Sequence, residues 1–573
     1  MSSKLQLKTK QLIQLCHENL SNPQSVLNQL LSAIQQLTKR GLVYSARWCA
    51  ELAFSLQSKA QETTKDSIDS YDEQGLDPRE CTAFLLARKY FDCREYRRCA
   101  ECLKNLENET CIFLRCYSLF LAGEKERLFD GSIQSIRRLQ NRQLEHILSQ
   151  ICHFEKHQNG MLSGFLCYLC GIISRNLERR EQAISFFVRA VVQFPFLFDA
   201  WRELSRLVST QEEEETLDAS LPRHWMIAIY YAMVWMERRE YDDALHLLNA
   251  LLSYFPKNTF LLNQIAFLHY DRRDFDTSAR YYEEIRRNDP HCMDGMDIYS
   301  NILYVREQQV ELSMLAHHCV SVEKYRPETC TVVGNYYSLR GDHEKAVTYF
   351  ERALKLNPHF VSAFTLIGHE YIEMKNTAKA IEAYRKAVDI QPKDFRAWYG
   401  LGQAYELLRM PSYSLYYYRK AATLRPFDSR MWCAMGLCLE EFGKYQDALT
   451  CYERALKCDD REVVVFRRIA HLYDQIGDSE KAYTFYLKEL ERREEEEEEG
   501  LDSLETAEAF LFLARYSIAK GRLDDAENYC SRLVDFPGTE RDQAKDLLKE
   551  IERRREQQLV SSNPSAIMDT AIS

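Results

Sequence analysis

The chain has 573 residues, 46% of them hydrophobic and 28% charged, with a formal net charge of -11. That apolar share excludes disordered and collagenous classes, and 19 glycines with 13 prolines supply too little turn chemistry for a many-stranded protein, so an all-α fold is expected. The negative balance points away from nucleic acid, whose phosphates need a clustered basic surface, and toward soluble protein partners.

In chain order, residues 1–79 read as an N-terminal helical segment followed by a flexible connection at 57–79 rich in Ser, Gln, Thr and Asp. Met1-Ser2-Ser3-Lys4 leads in without a signal-peptide apolar region or a myristoylation glycine. Residues 80–224 carry helical repeats beginning near 80, 114, 164 and 198, the second and fourth degenerate. The acidic stretch 211–219 breaks the repeat count and reads as a solvated insertion. The longest uncharged apolar run, Trp225 to Met236, falls short of the ~20 residues that span a bilayer, so no membrane partner is expected.

From 225 to 496 the periodicity is continuous, with eight units starting at 225, 259, 293, 327, 361, 395, 429 and 463. Gly334, Tyr337, Ala346, Phe350, Ala353 and Pro358 reappear one period later as Gly368, Tyr371, Ala380, Tyr384, Ala387 and Pro392. The next period gives Trp398, Leu401, Gly402, Tyr405, Tyr418, Ala421 and Pro426. This is the tetratricopeptide pattern, in which each unit of about 34 residues is a pair of antiparallel helices, A and B, and the expected fold is a tetratricopeptide superhelix, an α-solenoid. Glycine at position 8 and alanine at position 20 let A and B approach, an aromatic at position 24 fills the layer, and proline at position 32 stops helix B. Residues 497–555 read as an acidic insertion and a last unit with a capping helix, and 556–573 as a disordered tail.

Chemistry is sparse. Cys99 with Cys102 and Cys167 with Cys170 form C-x-x-C pairs, but neither has a second pair or histidines at zinc spacing, so no metal is expected. The 19 cysteines sit at helical apolar positions, which suits reduced thiols in a nuclear or cytosolic compartment. His317 and His318 are adjacent on a helix and diverge, so they cannot share a ligand. With no phosphate loop, serine elbow or kinase signature, neither an enzyme nor a cofactor is expected.

The candidate functional surface is the concave face, toward which helix-A positions 2, 5, 9 and 12 point. These are Asp294, Asp297, Asn301 and Tyr304, then Glu328, Thr331, Asn335 and Ser338. Ser362, Thr365 and His369 follow with Glu370 beside them, then Arg396, Tyr399, Gln403 and Glu406. Asparagines can pair with both groups of a peptide backbone, and carboxylates with aromatics suit an arginine side chain, so an extended basic peptide is the expected ligand.

The stretches Arg40-Gly41-Leu42, Arg47-Trp48 and Ala50-Glu51-Leu52 precede the array, and within it stand Tyr325 to Cys330, Val333 to Arg340, Gly368 to Thr377, Arg396 to Glu406 and Leu415 to Ala421. Together they closely resemble the subunit 8 family of the anaphase-promoting complex, or cyclosome, over roughly residues 10 to 550. The resemblance implies a non-catalytic scaffold of a multisubunit ubiquitin ligase that drives mitotic exit. It further implies a homodimer formed through the N-terminal repeats, contacts with other tetratricopeptide and scaffold subunits, and a groove for the arginine-bearing C-box peptide of a coactivator. Asn335 and Glu370 stand in segments matching the family's groove; Asn301, Tyr304, His369, Gln403 and Glu406 join them by position. Two rivals remain. A co-chaperone clamp for an acidic peptide would need lysine or arginine where Asp294, Asp297 and Glu328 stand, and a transferase fused to repeats would need a further catalytic domain.

Overall fold

The computed structural model describes residues 2–57, 78–130, 141–157, 162–208, 210–458, 464–495, 504–534 and 539–562. Most of the expected connection at 57–79, the glutamates from 496 to 499 and the tail beyond 562 lie outside these. The described residues form thirty helices and no strand, in two compact lobes, Met1–Phe360 and Val361–Ser573.

The N-terminal lobe opens with α1 (Ser2–Leu20), α2 (Pro23–Lys39) and α3 (Val43–Gln57). The early repeats follow as α4 (Pro78–Asp92) with α5 (Tyr96–Cys102), α6 (Glu109–Asp130) with α7 (Leu144–His157), and α8 (Gly164–Asn176) with α9 (Arg180–Gln193). Next come α10 (Phe198–Leu207) and α11 (Gln211–Asp218). The regular pairs of this lobe are α12 (Met226–Arg238) and α13 (Tyr241–Tyr254), α14 (Thr259–Asp271) and α15 (Phe275–Asn288), α16 (Met296–Val305) and α17 (Gln309–Val322), and α18 (Pro327–Leu339) and α19 (His343–Leu356).

The C-terminal lobe continues the pattern with α20 (Val361–Glu373) and α21 (Thr377–Ile390), α22 (Phe395–Leu407) and α23 (Pro411–Leu424), α24 (Ser429–Glu441) and α25 (Tyr445–Lys457), and α26 (Val464–Ile476) and α27 (Ser479–Glu495). It ends with α28 (Leu504–Ala519), α29 (Leu523–Val534) and α30 (Thr539–Ser562). The expected unit frame and the helix pairs agree from 225 onward. The expected tail does not begin at 556, because α30 runs to Ser562.

The repeat signature has a direct packing cause. A Cβ added at Gly334, Gly368, Gly402 or Gly436 would stand 2.3, 2.4, 2.4 or 2.6 Å from the ring of Phe350, Tyr384, Tyr418 or Tyr452. In these four units glycine at position 8 leaves room for the ring at position 24, whereas the units from 259 and 463 set Ala266 and Ala470 opposite Tyr282 and Tyr486. Where serine replaces alanine at position 20, its hydroxyl finds an acceptor in the facing helix: Ser278 donates to the Ala266 carbonyl at 2.7 Å and Ser414 to the Gly402 carbonyl at 2.9 Å. Tryptophan at position 4 is tied to the preceding proline, since Trp201, Trp398 and Trp432 donate their indole N–H to the carbonyls of Pro195, Pro392 and Pro426.

Each A–B turn of the eight units passes through a left-handed residue at position 15. Glycine holds it at Gly341, Gly443 and Gly477, but Arg239, Arg273, Glu307, Lys375 and Arg409 adopt it as well. The local strain is borne by the packed helices on either side.

Two charged features depart from expectation. The stretch 211–219 is not a solvated insertion: α11 begins with a capping box between Thr210 and Glu213, and Glu214 is buried. Its carboxylate accepts from Lys8 of α1 at 3.0 Å and from Arg238 of α12, so the acidic helix clips the N-terminal helix to the array. In the last regular unit, position 27, alanine in the four units before it, is Glu489, which is fully buried and accepts from Arg493 at 3.2 Å one helical turn later.

Candidate functional site

The inward face of the N-terminal lobe is divided. Between Phe165 and Asp294 it is covered by the chain's own N-terminal hairpin. Arg40 stacks its guanidinium 3.9 Å from the Phe165 ring centroid, and Ser45 donates to the buried Asp199 carboxylate at 2.7 Å. Trp48 is buried, stacking on Phe198 at 4.5 Å and meeting Phe260 edge-on at 6.0 Å. Phe165, Asp199 and Phe260 hold or adjoin the N-terminal inward positions of their helices, so α3 lies where a ligand would otherwise lie.

Arg47 continues this line to Asp294. Asp294 is not on a helix as expected: Gly295, at φ +81°, delays α16, and a side chain there would strike Asn263. The Asp294 carboxylate accepts from Arg47 and Arg326, each at 2.6 Å. Burial pushes its pKa up, but these two guanidinium groups outweigh burial and hold it below the usual carboxylate value. Glu328 is likewise engaged, by Arg326 at 3.1 Å. Neither is a free groove carboxylate. Thr331 is buried with its hydroxyl on the Pro327 carbonyl, so it too is removed from the expected lining.

Beyond that point the expected residues do come together. Asn335, 2% exposed, donates through its amide nitrogen to Asn301 and to the Ser300 hydroxyl, both at 2.8 Å. Tyr304 remains 38% exposed, and its phenol oxygen accepts from Ser338 at 3.4 Å.

In the C-terminal lobe, Glu370 is buried, while His369 is half-buried and hydrogen-bonded to the Tyr384 hydroxyl at 2.8 Å. Burial, with Arg396 nearby, lowers the His369 pKa to about 4, so the imidazole is neutral at pH 7. Thr365 is buried, its hydroxyl on the Ser362 carbonyl at 2.8 Å. Tyr399, Gln403 and Glu406 share the wall of a 440 Å³ cavity with Tyr418, Arg430 and Cys433. Glu406 is held by the Tyr418 hydroxyl at 2.5 Å, and burial together with that carboxylate raises the Tyr418 pKa strongly. Across the cavity Arg430 is fixed by two bonds to Asp428, at 3.1 and 3.0 Å.

Arg430 and Cys433 stand at positions 2 and 5 of the next repeat, so the inward-position rule reaches them if carried one unit further than Glu406. The same step finds Glu440 at position 12, accepting from Tyr452 at 2.7 Å. The tyrosine–carboxylate pair thus recurs at matching positions. It offers a fixed negative charge beside an aromatic ring, an arrangement that suits a guanidinium.

Comparison with known proteins adds a family. Residues 25–266 match the family model described as Anaphase promoting complex subunit 8 / Cdc23, and 302–545 match one described as Cilia and flagella-associated protein 70 C-terminal domain. The chain is 40% identical to "Anaphase-promoting complex subunit 8" of Arabidopsis thaliana, over 91% of this chain and 96% of that protein. It is 37% identical to the Dictyostelium discoideum protein of the same name, over 91% and 97%. It is also 40% identical to "Cell division cycle protein 23 homolog" of Homo sapiens, over 53% and 51%. Among solved structures, a chain of "Crystal structure of APC/C hetero-tetramer Cut9-Hcn1" shares the fold, with a TM-score of 0.57 and 17% identity over 94% of this chain and 98% of that one.

Proposed function

The chain belongs to the anaphase-promoting complex subunit 8 / Cdc23 family, and from that premise we propose that it is a non-catalytic scaffold subunit of this ubiquitin ligase, homodimeric and presenting a coactivator's basic C-box peptide with a docking face. Its place of work is the nucleus, where mitotic regulators are ubiquitinated. The observation that carries the peptide reading is the cavity in which Glu406 is pre-positioned by Tyr418 beside Tyr399 and Gln403. An arginine entering there meets a carboxylate that has already lost its side-chain freedom, which reduces the entropy cost of binding. In the N-terminal lobe, Asn335 spends its amide N–H groups on Asn301 and Ser300, so its carbonyl oxygen is the atom to receive a peptide N–H.

Calorimetric titration of the full chain with an arginine-bearing C-box peptide tests this. Truncating a buried charge partner typically costs ~2 to 5 kcal/mol, so Glu406→Ala should weaken binding strongly, with Asn335→Ala and Glu370→Ala tested singly beside it. Wild-type affinity in all three variants, or equal binding of a peptide with alanine for arginine, removes these residues from the mechanism.

The dimer reading is supported by an exposed apolar surface near the N-terminus: Tyr44 and Phe54 of α3 are 73% and 78% exposed, and Leu85 and Leu86 of α4 are also open. A fragment ending at 224 would be a poor test, because α1 packs on α12 and α13. Sedimentation equilibrium of the full chain should give a dimer, and Tyr44→Glu with Phe54→Glu a monomer.

A further inference from the structure

The outer side of the early repeats carries a cleft that the peptide-docking reading does not use. Helix B of a regular unit is 14 residues long, as in α9 and α13, but α5 has only 7. Between α5 and α7, over α6, lies a cavity of 840 Å³. In a chain whose net charge is -11, its walls bring together the cations Arg97 and Lys104, from α5 and the segment after it, and Arg115 from α6, facing the polar side chains of α7, with Glu101 the single carboxylate among the described lining residues.

These cations are poised for exchange. Lys104 pairs with Glu101 at 3.2 Å and Arg97 with Glu126, and all four side chains are at least 49% exposed, so both pairs are weak and replaceable. Arg115 is anchored by donating to the Lys104 carbonyl at 2.9 Å, while its Nε is buried without a hydrogen-bond partner among the described residues. The Oε1 of Gln150 is in the same condition.

We propose that this cleft is a docking site for an acidic, glutamate- or aspartate-rich segment of a partner protein. Incoming carboxylates replace Glu101 and Glu126 on Lys104 and Arg97, and a run of them spans the wall from α5 to α7. Carboxylate is the anion the site already accepts. Nucleic acid is disfavoured because no Phe, Tyr or Trp is among the described residues that line the cleft to stack a base.

The test is fluorescence anisotropy of the full chain with a labelled peptide alternating Glu and Ser, a labelled Gly-Ser peptide of equal length, and a labelled single-stranded oligonucleotide. The acidic peptide should bind, the neutral one should not, and affinity should fall with added salt. Arg97→Glu combined with Lys104→Glu changes only exposed side chains and should weaken binding at least about tenfold, about 1.4 kcal/mol, as should Ser149→Glu on the opposite wall. Acidic and neutral peptides binding alike, unchanged binding in both variants, or an oligonucleotide binding as tightly and losing affinity in the same variants would each overturn the proposal.

Discussion

The two lobes use the same repeat and expose its inner side differently. In the N-terminal lobe, α3 lies along the inward face from Phe165 to Asp294, with Ser45 on Asp199, Trp48 between Phe198 and Phe260, and Arg47 on Asp294. In the C-terminal lobe, the equivalent positions of the units from 395 and 429 line an open 440 Å³ cavity, and their carboxylates are held by tyrosines of their own repeats. The repeat builds a concave face, and a segment outside the repeat decides whether that face is free. A carboxylate paired across lobe-scale sequence distance, such as Asp294 with Arg47, is structural. One paired within its own helix hairpin, such as Glu406 with Tyr418, is positioned without being covered.

The strongest way to break this contrast is to loosen α3. Trp48→Ala empties a buried site between two aromatic rings and should cost ~3 to 5 kcal/mol, measured by urea denaturation. The loss should fall on the N-terminal lobe and leave peptide binding at Glu406 intact; loss of both would show that the two faces are not independent. Next in size is Gly402→Leu, which drives a side chain into Tyr418 and should cost ~1 to 3 kcal/mol or somewhat more, since a Cβ alone would stand 2.4 Å from the ring. Unchanged thermal unfolding would mean that position 8 does not set the helix spacing.

Tyr418→Phe sharpens the comparison by removing the hydrogen bond that holds Glu406. It should cost ~1 kcal/mol of stability yet weaken the peptide more than that, because the carboxylate regains rotamer freedom; equal affinity would argue that pre-positioning is irrelevant.

A pH titration probes both lobes. Burial holds His224 and His369 near pKa 4, and the His224 Nδ1 accepts the Met226 N–H, a bond that protonation would abolish. The unfolded chain protonates both imidazoles at the ordinary value near 6.5. From pH 6.5 down to about 4 the unfolded state therefore binds more protons, and stability should fall as pH falls. His369→Gln should flatten that dependence in the C-terminal lobe, and an unaltered slope would show that His369 is protonated in the fold. The smallest effect expected is from Arg47→Ala, an exposed pair partner worth ~0 to 1 kcal/mol, visible as a small shift in urea midpoint.

The amino-acid pattern by itself determined the helix pairs and their frame, because the constraints behind them are local. Gly402 and Tyr418 lie within one hairpin, and Trp398 reaches a proline six residues away. The repeat positions of Asn301, Tyr304, Asn335, Gln403 and Glu406 follow from the same local frame, as do those of Arg430, Cys433 and Glu440 in the unit from 429. Position 15 was not, since five non-glycine residues take its left-handed conformation and leave no glycine signal.

Only the tertiary structure decided which inward residues are covered. Lys8 meets Glu214 across 206 residues and Arg47 meets Asp294 across 247. In a linear reading each is a charged residue on a solvated face. No period relates them, because the N-terminal hairpin is not a repeat and its docking depends on the surface that the repeats create only after they stack. The cleft of the early repeats has the same character: Arg97, Lys104 and Arg115 are ordinary charged residues in a linear reading, and they share one wall only when α5, α6 and α7 pack together.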